Sequence, residues 1–123
     1  MKQTPAHRHK AWVFGSRAET IAAWILRFKG YRILAHRYKT PRGEIDIIAK
    51  RGQTLVFVEV KARARINPDH PIVLNRQFKR IAASAEVFIS KWKGAAPKSI
   101  RFDVIVIQTR HMPKHLKEVW RPS

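Results

Sequence analysis

Two apolar, β-branched runs, Ile45–Ala49 and Thr54–Val60, lie either side of a short polar break at Arg51-Gly52-Gln53. Runs of this length around a glycine-containing break predict a β-hairpin. The second run is apolar on both faces, Leu55 and Phe57 against Val56 and Val58, as in a central strand covered on both sides. Upstream, Ser16-Arg17-Ala18-Glu19 reads as a capping box opening a helix. Ala18, Ile21, Ala22, Ile25 and Phe28 recur at helical spacing until Gly30 ends the element. Tyr31–Tyr38 reads as a strand, followed by a Thr40-Pro41-Arg42-Gly43 turn. A basic loop over 62–74 contains Pro68 and Pro71. From Asn75, Phe78, Ile81, Ala82, Ala85, Phe88, Ile89 and Trp92 then form the stripe of a second amphipathic helix. Gly94-Ala95-Ala96-Pro97 breaks it, and Ile100–Gln108 alternates as a last strand. The order is α-β-β-β-α-β. A helix joining the third strand to the fourth implies a right-handed crossover, hence a mixed sheet flanked by helices. The expected domain covers residues 14–108, between basic tails at 1–13 and 109–123.

Polar residues interrupt the hairpin where a strand should carry Val or Ile: Asp46, Glu59 and Lys61. Burying a carboxylate without a partner costs several kcal/mol, on the order of the whole gain from a buried apolar side chain. Strand alternation puts Phe57, Glu59 and Lys61 on one face. A turn centred between Arg51 and Gly52 sets Asp46 opposite Phe57 and diagonal to Glu59. A centre between Gly52 and Gln53 sets Asp46 directly opposite Glu59. A half-step register separates the two, because a one-residue slip flips every side chain. The pairing is conditional on register.

Two convergent carboxylates suit hard cations such as Mg²⁺ or Mn²⁺. A lysine beside them can orient or help deprotonate a bound water and stabilise charge on a phosphate. Composition supplies the partner: Lys and Arg number 26 against 8 acidic residues, a net charge of +18. Such a surface attracts polyanions by counterion release, and nucleic acid is the leading candidate. The basic positions Arg42, Arg63, Arg65, Arg76, Lys79 and Arg80 are the expected phosphate contacts; Arg76, Lys79 and Arg80 share one helix face. There is no cysteine, so no thiolate metal site or cysteine nucleophile. The longest apolar run, Ile21–Leu26, is too short to span a bilayer, and no signal peptide is apparent. A cytoplasmic protein without a membrane partner is expected.

The quoted stretches resemble a known family. Ala18-Glu19, Gly30-Tyr31, Gly43-Glu44-Ile45-Asp46, Val58-Glu59-Val60-Lys61 with Arg63, Arg76-Gln77-Phe78-Lys79 and Arg101-Phe102-Asp103-Val104 are similar to the YraN family. Those small bacterial proteins resemble Holliday-junction resolvases within the PD-(D/E)XK nuclease superfamily. The resemblance spans residues 15 to 108. It implies an α/β fold with the αβββαβ restriction-endonuclease-like core, and a Mg²⁺- or Mn²⁺-dependent endonuclease acting on structured or branched DNA. By the same resemblance Asp46 and Glu59 hold the metal with the Val60 carbonyl, Glu19 contributes through a water, Lys61 acts on the nucleophilic water, and Gln77 is the polar residue of the second helix. A homodimer stays open.

Other readings stand beside these. Glu19 also fits the capping box as its own N3 acceptor. Asp103 can pair with Arg101 or a neighbouring strand, and Glu44 can be a rim charge. His111 and His115 have i, i+4 spacing, but Pro113 between them argues against a helix. The competing function is a non-catalytic basic DNA- or RNA-binding protein on a nuclease-like fold.

Overall fold

The structure, a computed structural model, describes residues 5–63, 73 and 75–122, with side chains from Arg17 onward. Helix α1 (Pro5–Phe28) leads into β1 (Arg32–Thr40), β2 (Gly43–Arg51) and β3 (Thr54–Arg63); α2 (Asn75–Lys91), β4 (Ser99–Gln108) and β5 (Lys114–Trp120) follow. The sheet order is β1-β2-β3-β4-β5. Neighbours are antiparallel except β3 and β4, which are parallel and joined through α2. The expected αβββαβ order is present, with one strand added at the β4 edge.

β3 is the central strand, and its apolar residues explain why. Leu55, Val56, Phe57 and Val58 are all at most 1% exposed. Each such side chain contributes roughly 1.5–3 kcal/mol relative to an exposed one. Val56, Val58 and Val60 pack with Ile47, Ala49, Ile105 and Ile107 beneath α1. Leu55 and Phe57 pack with Ile48, Phe102, Val104 and Val106 beneath Phe78, Ile81 and Ala85 of α2. Two faces and two helices sandwich one sheet.

Local chemistry fixes the joints. At the end of α1, Tyr31 N–H donates to the Leu26 carbonyl and Gly30 N–H to that of Arg27, a Schellman closure. Gly30 takes the left-handed φ of 88° that this closure requires. In the β2–β3 loop, Gly52 has φ 59° at the first of two loop residues, the place a II′ hairpin turn reserves for glycine. Gly43 serves closeness: a Cβ there would meet Ser84 Oγ at 3.3 Å and Arg80 Cβ at 3.4 Å. The α2 helix therefore lies against the β1–β2 turn, where Ser84, fully buried, shares a hydrogen bond with Thr40 Oγ1 at 2.9 Å.

Three sequence expectations are corrected. α1 begins at Pro5, so Ser16-Arg17-Ala18-Glu19 lies inside the helix and does not open it. Its buried face runs through Ala18, Ala22, Ala23 and Leu26, while Ile21 and Phe28 are 41% and 89% exposed. Small residues let the helix approach the sheet closely, and that approach outweighs the bulk of Ile21 and Phe28 in setting its rotation. The segment expected as a C-terminal tail contains β5, whose Leu116 and Trp120 pack on the α2 side. Arg65 and most of the 62–74 loop lie outside the described residues.

Candidate functional site

The hairpin register settles where the carboxylates meet. Arg51 pairs with Thr54, Lys50 with Leu55, Ala49 with Val56, Ile48 with Phe57 and Ile47 with Val58. The turn is thus centred between Gly52 and Gln53, and one further step sets Asp46 opposite Glu59. The β2–β3 ladder stops at Ile47–Val58, while β2 goes on pairing with β1 to Gly43 and β3 with β4 to Arg63. The two central strands part there, and side chains take over. Asp46 Oδ2 accepts the Val60 amide at 2.8 Å, filling the role a strand carbonyl would have had.

Electrostatics make the pair unusual. Burial and the Asp46 charge push the Glu59 carboxyl up to about 8, against the pull of Lys61. Burial also raises Asp46, while hydrogen bonds from the Val60 amide and from Glu59 oppose the rise. Both carboxyls are thus pushed up, which favours the pair keeping a proton at neutral pH. A second charge beside a buried carboxylate is disfavoured unless a cation offsets it. Lys61 supplies part of that charge, with Nζ 3.5 Å from Glu59 Oε1 and both side chains 16% exposed.

The other predicted residues divide. Glu19 reaches the site from α1 and its charge acts on Asp46. Its carboxylate, however, accepts from Arg37 Nε at 2.8 Å, the contact that replaces the capping role. Gln77 is half-buried in the first turn of α2. Arg42, Arg63, Arg76, Lys79 and Arg80 are exposed, as phosphate contacts must be. Glu44 is exposed on β2, within the field of Arg37. Among the described residues, no three His, Asp or Glu side chains form a ready metal cluster. Two carboxylates remain as a matched set of hard oxygen donors, and ions such as Mg²⁺ keep several waters, so a large protein cage is not needed.

Asp103 belongs to a different construction. Fully buried, it accepts Arg101 Nε and a second guanidinium nitrogen at 2.8 Å each, the Glu118 amide at 3.0 Å and His115 Nε2 at 2.7 Å. Arg101 also donates to the Tyr31 hydroxyl, and Lys29 Nζ to His115 Nδ1 at 2.9 Å. Burial would raise the Asp103 carboxyl, but these bonds hold it below the usual carboxylate range. Both expected partners, Arg101 and a neighbouring strand, are found. The network ties β4 and β5 to the end of α1. Sequence reasoning missed Arg37, which lay within a basic run counted only as charge.

A mixed five-stranded sheet between two helices, with a largely buried carboxylate pair where its central hairpin opens, defines a small basic α/β protein. Residues 18–107 match the family described as "Uncharacterised protein family UPF0102", and the chain belongs to it. A UPF0102 protein of Rhodopseudomonas palustris (strain HaA2) is 47% identical over 99% of this chain and 96% of its own. One from Parvibaculum lavamentivorans is 43% identical over 98% of this chain and 91% of its own. A third, from Chelativorans sp., is 42% identical over 92% and 91% respectively. The match at 18–107 includes every member of the acidic site and ends before β5.

Proposed function

We propose that the protein is a divalent-metal-dependent endonuclease of PD-(D/E)XK type acting on structured or branched DNA. The observation that carries this reading is the Asp46–Glu59 pair, two largely buried carboxyls set opposite each other where the central strands part. A structural arrangement would instead join each carboxylate to its own cation, whereas among the described ion pairs Glu59 has Lys61 and Asp46 is bonded to the Val60 amide. Asp46, Glu59 and the Val60 carbonyl would hold Mg²⁺ or Mn²⁺, which activates water and neutralises charge on a phosphate. Lys61 lies beside Glu59 to orient the water and to stabilise phosphoryl charge. Exposed Arg42, Arg63, Arg76, Lys79 and Arg80 would take the flanking phosphates, and no helix among the described residues is long and apolar enough to cross a membrane.

The non-catalytic binding reading draws on one observation, the engagement of Glu19 by Arg37. Labelled duplex, single-stranded and four-way-junction substrates, with and without Mg²⁺ or Mn²⁺, separate the two. The nuclease reading expects metal-dependent cleavage, strongest on one structured substrate and lost in Asp46→Asn. Tight binding with no cleavage under any metal leaves the binding protein.

A further inference from the structure

Arg37 stands across β1–β2 from Asp46, between the pairs His36–Ile47 and Tyr38–Ile45. Its backbone is left-handed, φ 48°, inside an otherwise extended strand. For a residue with a Cβ that conformation is unfavourable, so it points to a function for the side chain it aims. The guanidinium is 47% exposed, bonds Glu19 of α1, and lies in the fields of Glu44 and Asp46. An ion pair this open is weak and exchangeable. A guanidinium forms stronger, bidentate contacts with a phosphate. Glu19, for its part, already acts on Asp46 from where it is held.

We propose that Arg37 is an exchangeable anion seat: Glu19 fills it in the free protein, and a phosphate of the nucleic-acid backbone displaces Glu19. The released carboxylate then stands beside Asp46 and Glu59 as a third acid, so that substrate binding completes the acidic site. Arg37 is a positioning residue in this scheme, and the scheme rests on the nuclease reading above. It also accounts for Glu19 lying near the pair yet bonded elsewhere.

Counterion release makes the exchange measurable without cleavage. In the wild type, the phosphate that Arg37 gains is offset by the Glu19 charge it gives up. Glu19→Gln removes the internal competitor. Duplex affinity in EDTA should then rise about fivefold, and the log–log salt dependence should steepen by about 0.9. Glu44→Gln changes net charge equally without freeing Arg37 and serves as the control. In an Arg37→Ala or Arg37→Gln background, Glu19→Gln should do no more than Glu44→Gln. Fluorescence anisotropy across a salt series, with thermal melts confirming that each variant folds, reads all of these. Equal effects of Glu19→Gln and Glu44→Gln, or a Glu19→Gln gain that survives loss of Arg37, overturn the seat while leaving the nuclease reading intact. A wild type without salt-dependent binding removes that reading, and the seat with it.

Discussion

Asp46 faces Glu59 across the opening of the central hairpin, and burial raises both carboxyls there. This has a thermodynamic consequence. A carboxyl raised to about 8 in the folded protein and ordinary in the unfolded chain makes folding take up a proton. That contribution is complete below the unfolded value near 4.5 and is lost as pH rises through about 8. Melts in EDTA from pH 5 to 9 should show stability falling by on the order of a few kcal/mol. Glu59→Gln should flatten that fall. Parallel profiles for the two proteins would mean that Glu59 is ionised throughout.

The acid network at β4 carries the opposite sign. Asp103 sits below the usual carboxylate range, so its contribution is present at neutral pH and lost as pH falls through its folded value. Asp103→Asn leaves Arg101 and His115 without their shared anion beneath α1. Breaking a buried pair from one side costs about 3–5 kcal/mol. The variant should melt well below the wild type at pH 7, and the gap should narrow toward pH 3. A near-neutral substitution would show that β5 and α1 hold to β4 without this network.

How much of this was readable beforehand depends on range. The hairpin, the α2 stripe and the acidic trio are local patterns, legible because period and turn chemistry agree within about 20 residues. Register was the open point, and Gly52 decided it by taking the first loop position. β5 escaped because an edge strand needs little apolar alternation, and Glu118 at φ 51° breaks what there is. The rotation of α1 was decided by how closely Ala18 and Ala22 approach the sheet, a tertiary effect absent from helical spacing. The pairing of Glu19 with Arg37 spans two elements and was invisible for the same reason.

Gly43 offers a direct check on the packing that positions the site. Gly43→Ala would press a methyl against Ser84 and Arg80, both on α2, tighter than ordinary contact. The expected loss is about 1–2 kcal/mol, read as a lower denaturant midpoint at unchanged slope. Gly52→Ala, where no atom lies within 4 Å, should cost only the strain of its left-handed backbone, φ 59°, and leave α2 undisturbed. A Gly43→Ala variant as stable as the wild type would mean that the close approach of α2 is not what Gly43 secures.

The exposed face of α2 should bind phosphates without reading sequence. Arg76, Lys79 and Arg80 are all exposed and lie at i, i+3, i+4. Their alanine triple variant should keep its melting temperature, lose affinity about equally for every duplex tested, and lower the salt slope by about 2–3. Unchanged affinity would move the binding surface away from α2, and loss confined to one sequence would indicate base contacts.

The decisive measurement concerns the sign of a stability change. Asp46→Asn removes a carboxylate that burial disfavours in its charged form, yet keeps an oxygen that can accept the Val60 amide. In EDTA it removes the desolvation penalty on Asp46 and the charge that helps to raise Glu59, so the variant should be at least as thermally stable as the wild type. A divalent ion, by contrast, stabilises only a protein that binds it in the folded state. Mn²⁺ should therefore raise the wild-type melting temperature and leave Asp46→Asn unmoved, and cleavage should vanish with the metal response. A carboxylate kept merely to pair with a cation predicts the reverse: a destabilised variant in EDTA and a wild type indifferent to Mn²⁺. That outcome would end the case for a metal-dependent site at the mouth of the hairpin.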